Sequence, residues 1–356
     1  MTDLYPETAA ERDRWVLDRR PERNPVDPCK PFAFLMEEER AETGDIVRVA
    51  TIFLANRECP WRCLMCDLWK NTLTGTVPAG AVPAQIDYAL NRLSMDQVGP
   101  ARCADRTPRR GVPTARMPAR QIKLYNSGSF FDPRAIPPDD YPAIAERVRN
   151  FERVIVECHP ALVGESVLKF REFLRAARGL RPAATTTLEV AMGLETAHPE
   201  VLAKLNKRMT LDQFRRAAGF LREHDVALRA FVLVKPPFLD EAEALEWAKR
   251  SVDFAFDCGA TVIPLIPTRP GNGALDALAA RGEFSPPKLA TLEAALEYGI
   301  GLKRGRVFAD LWDLEQFSNC RECFELRRAR LHKMNLEQVV TPRVVCDRCG
   351  TNARKH

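Results

Sequence analysis

Three cysteines lie close together in the segment "CPWRCLMC", with three residues between Cys59 and Cys63 and two between Cys63 and Cys66. Three thiolates supply three ligands. One coordination position then stays open, on a tetrahedral zinc ion or on one iron of a four-iron cluster. An open position is where a substrate or cosubstrate can bind. The spacing therefore indicates a reactive metal centre, and an ordinary zinc or disulfide loop is the alternative.

The chemistry open to these cysteines depends on the cellular compartment. The N-terminal segment is charged and lacks the apolar core of a signal peptide, and no apolar run approaches the length of a membrane span. We therefore expect a cytoplasmic protein without membrane association. In a reducing compartment a cysteine cluster more often binds a metal or takes part in catalysis than forms disulfides. The net charge of +5 is too small to indicate nucleic-acid binding by itself.

Short β-rich segments alternate along the chain with longer amphipathic segments, which predicts parallel strands joined by helices. We expect six strands, at residues 45–56, 121–128, 153–160, 185–195, 226–237 and 260–268. The predicted fold is α/β, a partial (β/α)6 TIM-like barrel with a small C-terminal zinc-knuckle extension. The expected domains are an N-terminal extension (1–44), the barrel (45–301) and a four-cysteine domain (302–356).

The unusual motifs all fall at the ends of predicted strands: the three cysteines, "NSGSFFD", "ECHP", "GLET" and "KPPF". In barrels of this type the chemistry takes place at the carboxyl ends of the strands. The motifs should therefore meet at one end of the barrel. This coincidence favours an enzyme over a binding module, which has no need of an open three-cysteine loop facing several polar strand ends.

The cysteine loop, directly after the first strand of a β/α sheet, resembles the radical S-adenosylmethionine (radical SAM) superfamily. The resemblance implies a [4Fe-4S] cluster held through three irons, with SAM chelated at the fourth iron. It also implies that an electron from a low-potential donor, such as ferredoxin or flavodoxin, splits SAM to give a 5′-deoxyadenosyl radical. The family usually has an aromatic residue between the second and third cysteines, where this sequence has Met65.

The resemblance extends over about residues 45 to 275 and implies further SAM contacts. Ser127, Gly128 and Ser129 stand where the family has a Gly-rich motif that holds the SAM amino group, although Gly-Gly-Glu itself is not kept. Small residues allow the close backbone approach that this role needs, and an ordinary strand-to-helix turn is the alternative. Glu157, in "VECHP", is predicted to bind SAM. Cys158 alternates away from Glu157 and should pack behind the sheet.

The segment "GLETAHPEVLAKLNKRMT" resembles the tRNA methylthiotransferase and Elongator branch of the superfamily, where a basic residue meets the SAM carboxylate. A guanidinium group can bind a carboxylate through two hydrogen bonds. Arg208 is therefore the preferred candidate and Lys207 the second, and a solvated basic helix end is the alternative. The catalytic candidates are Glu195, Lys235 and His159. The first two could instead form salt bridges at the rim, and the histidine could fix a loop.

Four further cysteines form two Cys-x2-Cys pairs near the C-terminus: Cys320, Cys323, Cys346 and Cys349. This spacing is typical of a closed four-thiolate zinc site, which would stabilise a segment too small to have its own core. An auxiliary iron-sulfur cluster is the alternative. From residue 302 onward, 12 Lys and Arg stand against 7 Asp and Glu, an excess of 5 that equals the net charge of the chain.

Two basic regions, the segment from residue 302 onward and the segment 99–120, indicate a nucleic-acid substrate. The segment 99–120 contains six Arg and one Asp, and Arg clusters can bind phosphates, although the segment could equally be a solubilising insertion. Within the superfamily the strand-end motifs resemble the archaeosine-forming lyase, which cleaves a lysine-derived carbon-nitrogen bond on a 7-deazaguanine base in tRNA. We therefore expect tRNA as a partner. A peptide or small-metabolite substrate, or a non-catalytic zinc and nucleic-acid-binding protein, are the alternatives.

Overall fold

The structure of the protein is a computed structural model that describes residues 4–95, 118–177 and 186–349. Most of the arginine-rich segment, residues 99–117, lies outside the described residues. No helix among the described residues is long and apolar enough to cross a bilayer.

One curled sheet of eight strands forms the centre of the fold, and its strands are hydrogen-bonded in chain order. The strands are β1 (Ala33–Arg40), β2 (Ile46–Leu54), β3 (Gln121–Asn126), β4 (Arg153–Glu157), β5 (Thr187–Glu195), β6 (Ala227–Val234), β7 (Val262–Pro267) and β8 (Arg306–Ala309). The first strand runs antiparallel to the second, and all later neighbours are parallel. The α/β half-barrel prediction is confirmed.

All six predicted strands are present, as β2 to β7, and two more strands extend the sheet at its edges. The sequence of β1, "AFLMEEER", carries four charged residues and therefore lacks the pattern of a buried strand. β8 is only four residues long. The sheet thus continues into both flanking segments of the predicted domain division, whose boundaries stay a prediction.

Among the described residues, most helices connect the parallel strands, whereas the first precedes β1 and the last follows β8. The helices are α1 (Ala9–Leu17), α2 (Ala81–Met95), α3 (Tyr141–Val148), α4 (Glu165–Ala177), α5 (Pro199–Lys204), α6 (Leu211–Glu223), α7 (Glu241–Asp257), α8 (Ala274–Ala280), α9 (Leu289–Gly301) and α10 (Arg321–Glu337). Capping boxes at Thr210 and Asp240 satisfy the first free N–H groups of α6 and α7, so each helix begins at a defined residue.

The outer face of the sheet packs on these helices and forms the main core. Leu54, Leu124 and Val156, on three adjacent strands, are fully buried in it. Phe53, which precedes Leu54, and Tyr125, which follows Leu124, point to the opposite face and are partly exposed. The inner face therefore lines an open space, the lumen, at the carboxyl ends of the strands.

A layer of buried charges closes the lumen below this open part. Arg229 Nε lies 2.6 Å from Glu189, Arg229 Nη2 lies 2.5 Å from Glu39, and Lys123 Nζ lies 2.6 Å from Glu39. Burial alone would raise the pKa of Glu39, but Arg229 and Lys123 hold it well below its usual range. We call these four residues the charged layer. Because they come from β1, β3, β5 and β6, the layer ties much of the sheet together.

The two edges of the sheet approach each other. Arg306 on β8 donates a hydrogen bond of 3.0 Å to the carbonyl of Arg40 on β1. Near the carboxyl ends, the ring of Trp312, which follows β8, lies 6.0 Å from the ring of Phe53 on β2. The lumen is therefore nearly surrounded by protein at the level of its opening.

Candidate active site

The three-cysteine loop follows β2 at the carboxyl end of the sheet. Burial raises the pKa of all three thiols, that of Cys63 to about 12 and that of Cys66 well above its usual range. A thiolate is the form that binds a metal, and a cation provides the charge that stabilises thiolates in such a setting. The donor set and its burial thus fit a metal centre.

Among the described residues, the four C-terminal cysteines form the one group of three or more potential ligands whose ligand atoms converge, all within 4.8 Å of one another. Cys59, Cys63 and Cys66 are not gathered in this way, and their role as cluster ligands stays a prediction from their spacing.

Gly128, at the turn after β3, packs directly against the cysteine loop. Its φ is +123°, and a Cβ there would lie 2.4 Å from the Cβ of Cys59 and 3.5 Å from its sulfur. Only glycine fits both the conformation and the space. The turn of Ser127, Gly128 and Ser129 therefore lies beside the cysteine loop, while the hydroxyl of Ser129 points away toward Cys158 at 3.5 Å, and the role of the turn in binding SAM stays a prediction. Cys158 itself is buried in the core.

Side chains from neighbouring strand ends hold the cysteine loop in place. Asn56 accepts a hydrogen bond from the N–H of Ser127 and donates one of 2.7 Å to the carbonyl of Arg57. Trp61, between the first two cysteines, stacks on His159 with ring centroids 3.7 Å apart. The buried Leu64 packs with Trp15 of α1. The loop is thus fixed on several sides by contacts within the protein.

His159 is engaged through both ring nitrogens. Its Nδ1 accepts a hydrogen bond of 3.2 Å from the N–H of Ala161, so Nε2 carries the proton and donates to the carbonyl of Lys207 at 3.1 Å. Burial lowers the pKa of His159 to about 3. A neutral histidine with both nitrogens occupied is a poor proton donor or acceptor, and these contacts favour the loop-fixing role.

Glu157 ends β4 and is partly exposed toward the lumen. It accepts a hydrogen bond of 2.9 Å from the backbone N–H of Asn126. Burial of its carboxyl group raises its pKa to about 8, although Lys207 acts in the opposite direction. A carboxyl group of this kind gains from a cationic or hydroxyl-bearing ligand.

Glu195 and Lys207 form a buried ion pair of 2.5 Å beside the cysteines. Burial alone would lower the pKa of Lys207, but Glu195 raises it, and Cys63 is near enough to add to this effect. A Cβ on Gly193 would lie 2.1 Å from the Glu195 carboxylate and 2.3 Å from Lys207 Nζ. Glycine at position 193 therefore leaves room for the pair.

Arg208, the preferred candidate for binding the SAM carboxylate, does not point toward the cysteines. The guanidinium group of Arg208 pairs with Asp13 on α1 at 2.5 Å and is 41% exposed, whereas Lys207 is the basic residue that lies beside the cysteines. The backbone has a positive φ of 57° at Arg208. The two adjacent side chains lie on opposite sides of this turn, and that of Lys207 is the one near the cysteines. The roles of both residues stay predictions, and the placement favours Lys207.

Lys235 lies apart from the cysteines, on a separate cleft. It pairs with Glu241 at 2.9 Å and contacts the hydroxyl of Ser285 at 2.8 Å. The cleft has a volume of about 1030 Å³ and is also lined by Tyr5 and Phe238. The structure therefore brings Glu157, Glu195 and Lys207 together at the cysteines and places Lys235 at another surface.

The four C-terminal cysteines converge as predicted. The sulfurs of Cys320 and Cys346 lie 3.8 Å apart, and those of Cys323 and Cys349 lie 3.7 Å apart. Thiolates about 2.3 Å from one tetrahedral metal ion lie about 3.8 Å from each other. The group thus fits a single metal ion.

Some residues of the site were not predicted from the sequence. They are Asn56 and Trp61 of the loop and the aromatic residues of the lumen, Phe53, Tyr125, Phe231 and Trp312. Alternation along a strand shows which residues share a face. It does not show which of the two faces lines the lumen, so the inward direction of these aromatic residues could not be predicted. Trp312 lies beyond the last predicted strand and carried no signal.

Comparison with known proteins gives sequence relatives over different parts of the chain, and no family model matches. An uncharacterized protein of Methanocaldococcus jannaschii is 23% identical over 89% of this chain and 84% of its own length. The archaeosine synthase subunit beta of Methanosarcina acetivorans is 30% identical over 186 residues, which are 49% of this chain and 49% of that protein. The chain thus matches about half the length of the synthase subunit.

Solved structures resemble the chain more distantly. Elp3 of Methanocaldococcus infernus is 13% identical, with a TM-score of 0.48 over 71% of this chain and 59% of that chain. The radical SAM enzyme HemN of Escherichia coli is 13% identical, with a TM-score of 0.40 over 82% of this chain and 55% of that chain. Both TM-scores are below 0.5, and no residue role is transferred from either structure.

The sequence relatives define what can be stated of the chain: it is similar to archaeosine synthase subunit beta over 186 residues, about half of each protein. The three-cysteine loop at the end of β2 and the curled parallel sheet are the structural features from which its function is inferred.

Proposed function

We propose that the chain binds a [4Fe-4S] cluster and SAM at the carboxyl end of the half-barrel and modifies a base in tRNA. The observation that carries the first part is the loop of Cys59, Cys63 and Cys66. It presents three half-buried thiols on one short loop, packed against Gly128 and close to Lys207. When bound, the cluster supplies the electron that splits SAM into methionine and a 5′-deoxyadenosyl radical.

The residues around the loop suit the polar groups of SAM. Glu157 provides a carboxyl group for an amine or a ribose diol, and its raised pKa means that a hydrogen-bonding or cationic partner stabilises its charged form. Lys207 provides the positive charge for a carboxylate, and Glu195 orients it. The turn at Gly128 allows a ligand to approach the backbone closely.

The lumen below the loop holds the rest of the site. Ala191 and Gly193 on β5 face inward and are small, so they leave space beside Glu157. The charged layer closes the lumen from below and keeps bulk water away from this space. A reactive radical benefits from such exclusion of water, because side reactions are suppressed.

The proposed substrate is a 7-deazaguanine-type base in tRNA, and the reaction is a modification or a carbon-nitrogen lysis. The homology to archaeosine synthase subunit beta and the basic surplus of segments 99–120 and 302–356 support it. Salt-dependent binding is the expected signature, since each neutralised phosphate releases counterions. Replacing Arg106, Arg109 and Arg110 together by Gln should weaken tRNA binding and reduce its salt dependence. Unchanged binding would move the proposal to a peptide or small metabolite.

We also propose that the four C-terminal cysteines bind zinc. Their convergence to distances that fit one tetrahedral ion supports zinc over an auxiliary cluster. A closed four-thiolate site would stabilise the C-terminal segment and perform no chemistry. A low-potential donor such as ferredoxin or flavodoxin is the proposed redox partner of the [4Fe-4S] cluster at Cys59, Cys63 and Cys66.

The decisive experiment is anaerobic reconstitution with iron and sulfide, followed by SAM and a low-potential reductant, with 5′-deoxyadenosine measured. We expect its formation by the wild-type protein and its loss in Cys63→Ala. Cys258→Ala, which removes a buried cysteine at the end of α7, is the matched control and should keep the activity. A reconstituted protein without cluster absorbance or SAM cleavage would end the proposal.

A further inference from the structure

Four aromatic residues form a connected cluster in the lumen that the proposed SAM contacts do not use. Phe53 contacts Tyr125 (ring centroids 6.1 Å apart, 63° between planes) and Trp312 (6.0 Å, 67°). Tyr125 in turn contacts Phe231 (6.0 Å, 81°). We call these four residues the aromatic platform. All contacts are edge-on, so the rings do not cover one another by stacking.

The platform is not part of the hydrophobic core. Phe53, Tyr125 and Phe231 are partly exposed, although their neighbours along each strand are fully or almost fully buried. Trp312 is 55% exposed, a large apolar area for a residue that follows a core strand. Aromatic surface left accessible at the opening of a cavity is a feature of ligand sites.

The surroundings define the chemistry of the ligand. The charged layer lies directly below, with Lys123 Nζ 6.0 Å from the centre of the Tyr125 ring. Its four members are paired with one another, so no free cation is offered to a phosphate by this layer. Beside the platform, Glu157 lies close to Tyr125. Arg269, which donates a hydrogen bond to the carbonyl of Trp312, is paired with Asp310 at 2.8 Å. These features suit an uncharged planar ring and do not suit a phosphate group.

We infer that the aromatic platform binds one planar heteroaromatic base of the substrate by stacking, with Trp312 as the ring that meets it at the entrance. This inference rests on the proposed function and names the part of the substrate that enters the lumen. A base within a folded RNA reaches a closed lumen only when it is turned out of its stack. Stacking on an aromatic side chain contributes about 1–3 kcal/mol per base, which is enough to hold it there.

The test measures binding of three probes to the reconstituted protein: unmodified tRNA, the free base 7-deazaguanine, and ribose 5-phosphate as a ligand without an aromatic ring. We expect the base to bind and ribose 5-phosphate not to compete with it. Trp312→Ala should weaken base and tRNA binding at least fivefold, the lower end of the stacking range, and Trp312→Phe should restore most of the loss.

Phe220→Ala is the matched control. This phenylalanine on α6 contacts His224, with ring centroids 4.3 Å apart, and its removal should leave all three affinities unchanged. Equal binding of the base to Trp312→Ala and wild type would overturn the inference. A loss of SAM affinity in Trp312→Ala, at unchanged affinity for the base, would assign the rings to the adenine of SAM and overturn it as well.

The two proposals fail in different ways. A wild-type protein that cleaves SAM but binds neither the base nor tRNA excludes the platform as a base site and leaves the radical SAM chemistry standing. A wild-type protein that binds the base but never cleaves SAM supports the platform and ends the proposed function.

Discussion

The Cβ of Cys59 lies 2.4 Å from the position that a Cβ on Gly128 would occupy. Two loops from neighbouring strands thus meet at a distance that no other residue type allows. The first loop carries the metal ligands, and the second is the turn assigned to SAM. Their contact means that the geometry of one site depends on the backbone of the other.

Replacing Gly128 by Ala should therefore disturb the cysteine loop. The added methyl group requires a shift of Cys59, and the φ of +123° is unfavourable for alanine. We expect the iron content after reconstitution to fall well below that of the wild type. Gly164→Ala, where nothing lies within 4 Å of the added atom, is the control and should load normally. Equal iron contents in the two variants would contradict the contact.

The two basic residues at positions 207 and 208 can be separated by affinity for SAM. Lys207→Met removes the cation beside the cysteines and should weaken SAM binding at least tenfold, about 1.4 kcal/mol. Arg208→Met removes an exposed ion pair with Asp13, which contributes about 0–1 kcal/mol to stability, and should leave SAM affinity unchanged. Isothermal titration with SAM measures both, and the reverse order would restore Arg208 as the carboxylate ligand.

Glu157 should make the stability of the protein depend on pH. Its pKa in the folded state is raised from 4.5 to about 8, so between these values the folded state binds a proton that the unfolded state has lost. The free energy of unfolding contributed by this residue therefore falls as pH rises from about 4.5 to 8. Denaturant unfolding of Glu157→Gln at pH 5 and pH 8 should show a smaller decrease than the wild type. An identical decrease would show that Glu157 is not the titrating group.

The metal of the C-terminal four-cysteine site can be determined in a variant that lacks the three cysteines of the proposed cluster site. A Cys59, Cys63, Cys66 triple alanine variant, as isolated, should contain about one zinc per chain and almost no iron. Further replacement of Cys320 and Cys346 by Ser should remove the zinc and lower the stability of the C-terminal segment. About four irons per chain in the triple variant would identify an auxiliary cluster instead.

The charged layer should be sensitive to the loss of one member. Arg229 is 2% exposed and bridges Glu189 and Glu39, so Arg229→Met leaves two buried carboxylates poorly compensated. We expect a decrease in the free energy of unfolding of about 3–5 kcal/mol. Arg250→Met, which breaks an exposed pair with Glu246 on α7, should cost at most about 0.5 kcal/mol. Similar losses in both variants would mean that the layer is not stabilised by pairing.

The sequence predicts the parts of this fold whose pattern is local. The strands that are buried on both sides are continuous apolar runs, and the two cysteine groups are defined by spacing alone. β1 escapes prediction because two of its charged residues, Glu37 and Glu39, point into the lumen, where partners from distant strands compensate them. No local rule anticipates a strand with buried glutamates.

In the candidate site, too, the sequence predicts some positions and leaves others undetermined. The positions of Glu157 and Gly128 follow from the ends of predicted strands, so the sequence indicates that both lie at the same end of the sheet as the cysteines, while their roles stay predictions. The choice between Lys207 and Arg208 depends on the turn of the backbone, where Asn206 and Arg208 both have positive φ. Adjacent residues on such a turn point to opposite sides, and the sequence does not state which one points inward.

The contact between Glu39 and Arg229 also bears on how the chain folds. These residues are 190 positions apart in the sequence, yet Arg229 has its full set of partners only when β1 lies in the sheet. The entropy of closing so long a loop must be overcome before the contact forms, which slows folding. A partly closed sheet would hold an unmatched arginine in a dry interior and would open again. We therefore expect a single cooperative closing of the sheet, with the first strand of the chain among the last to be fixed.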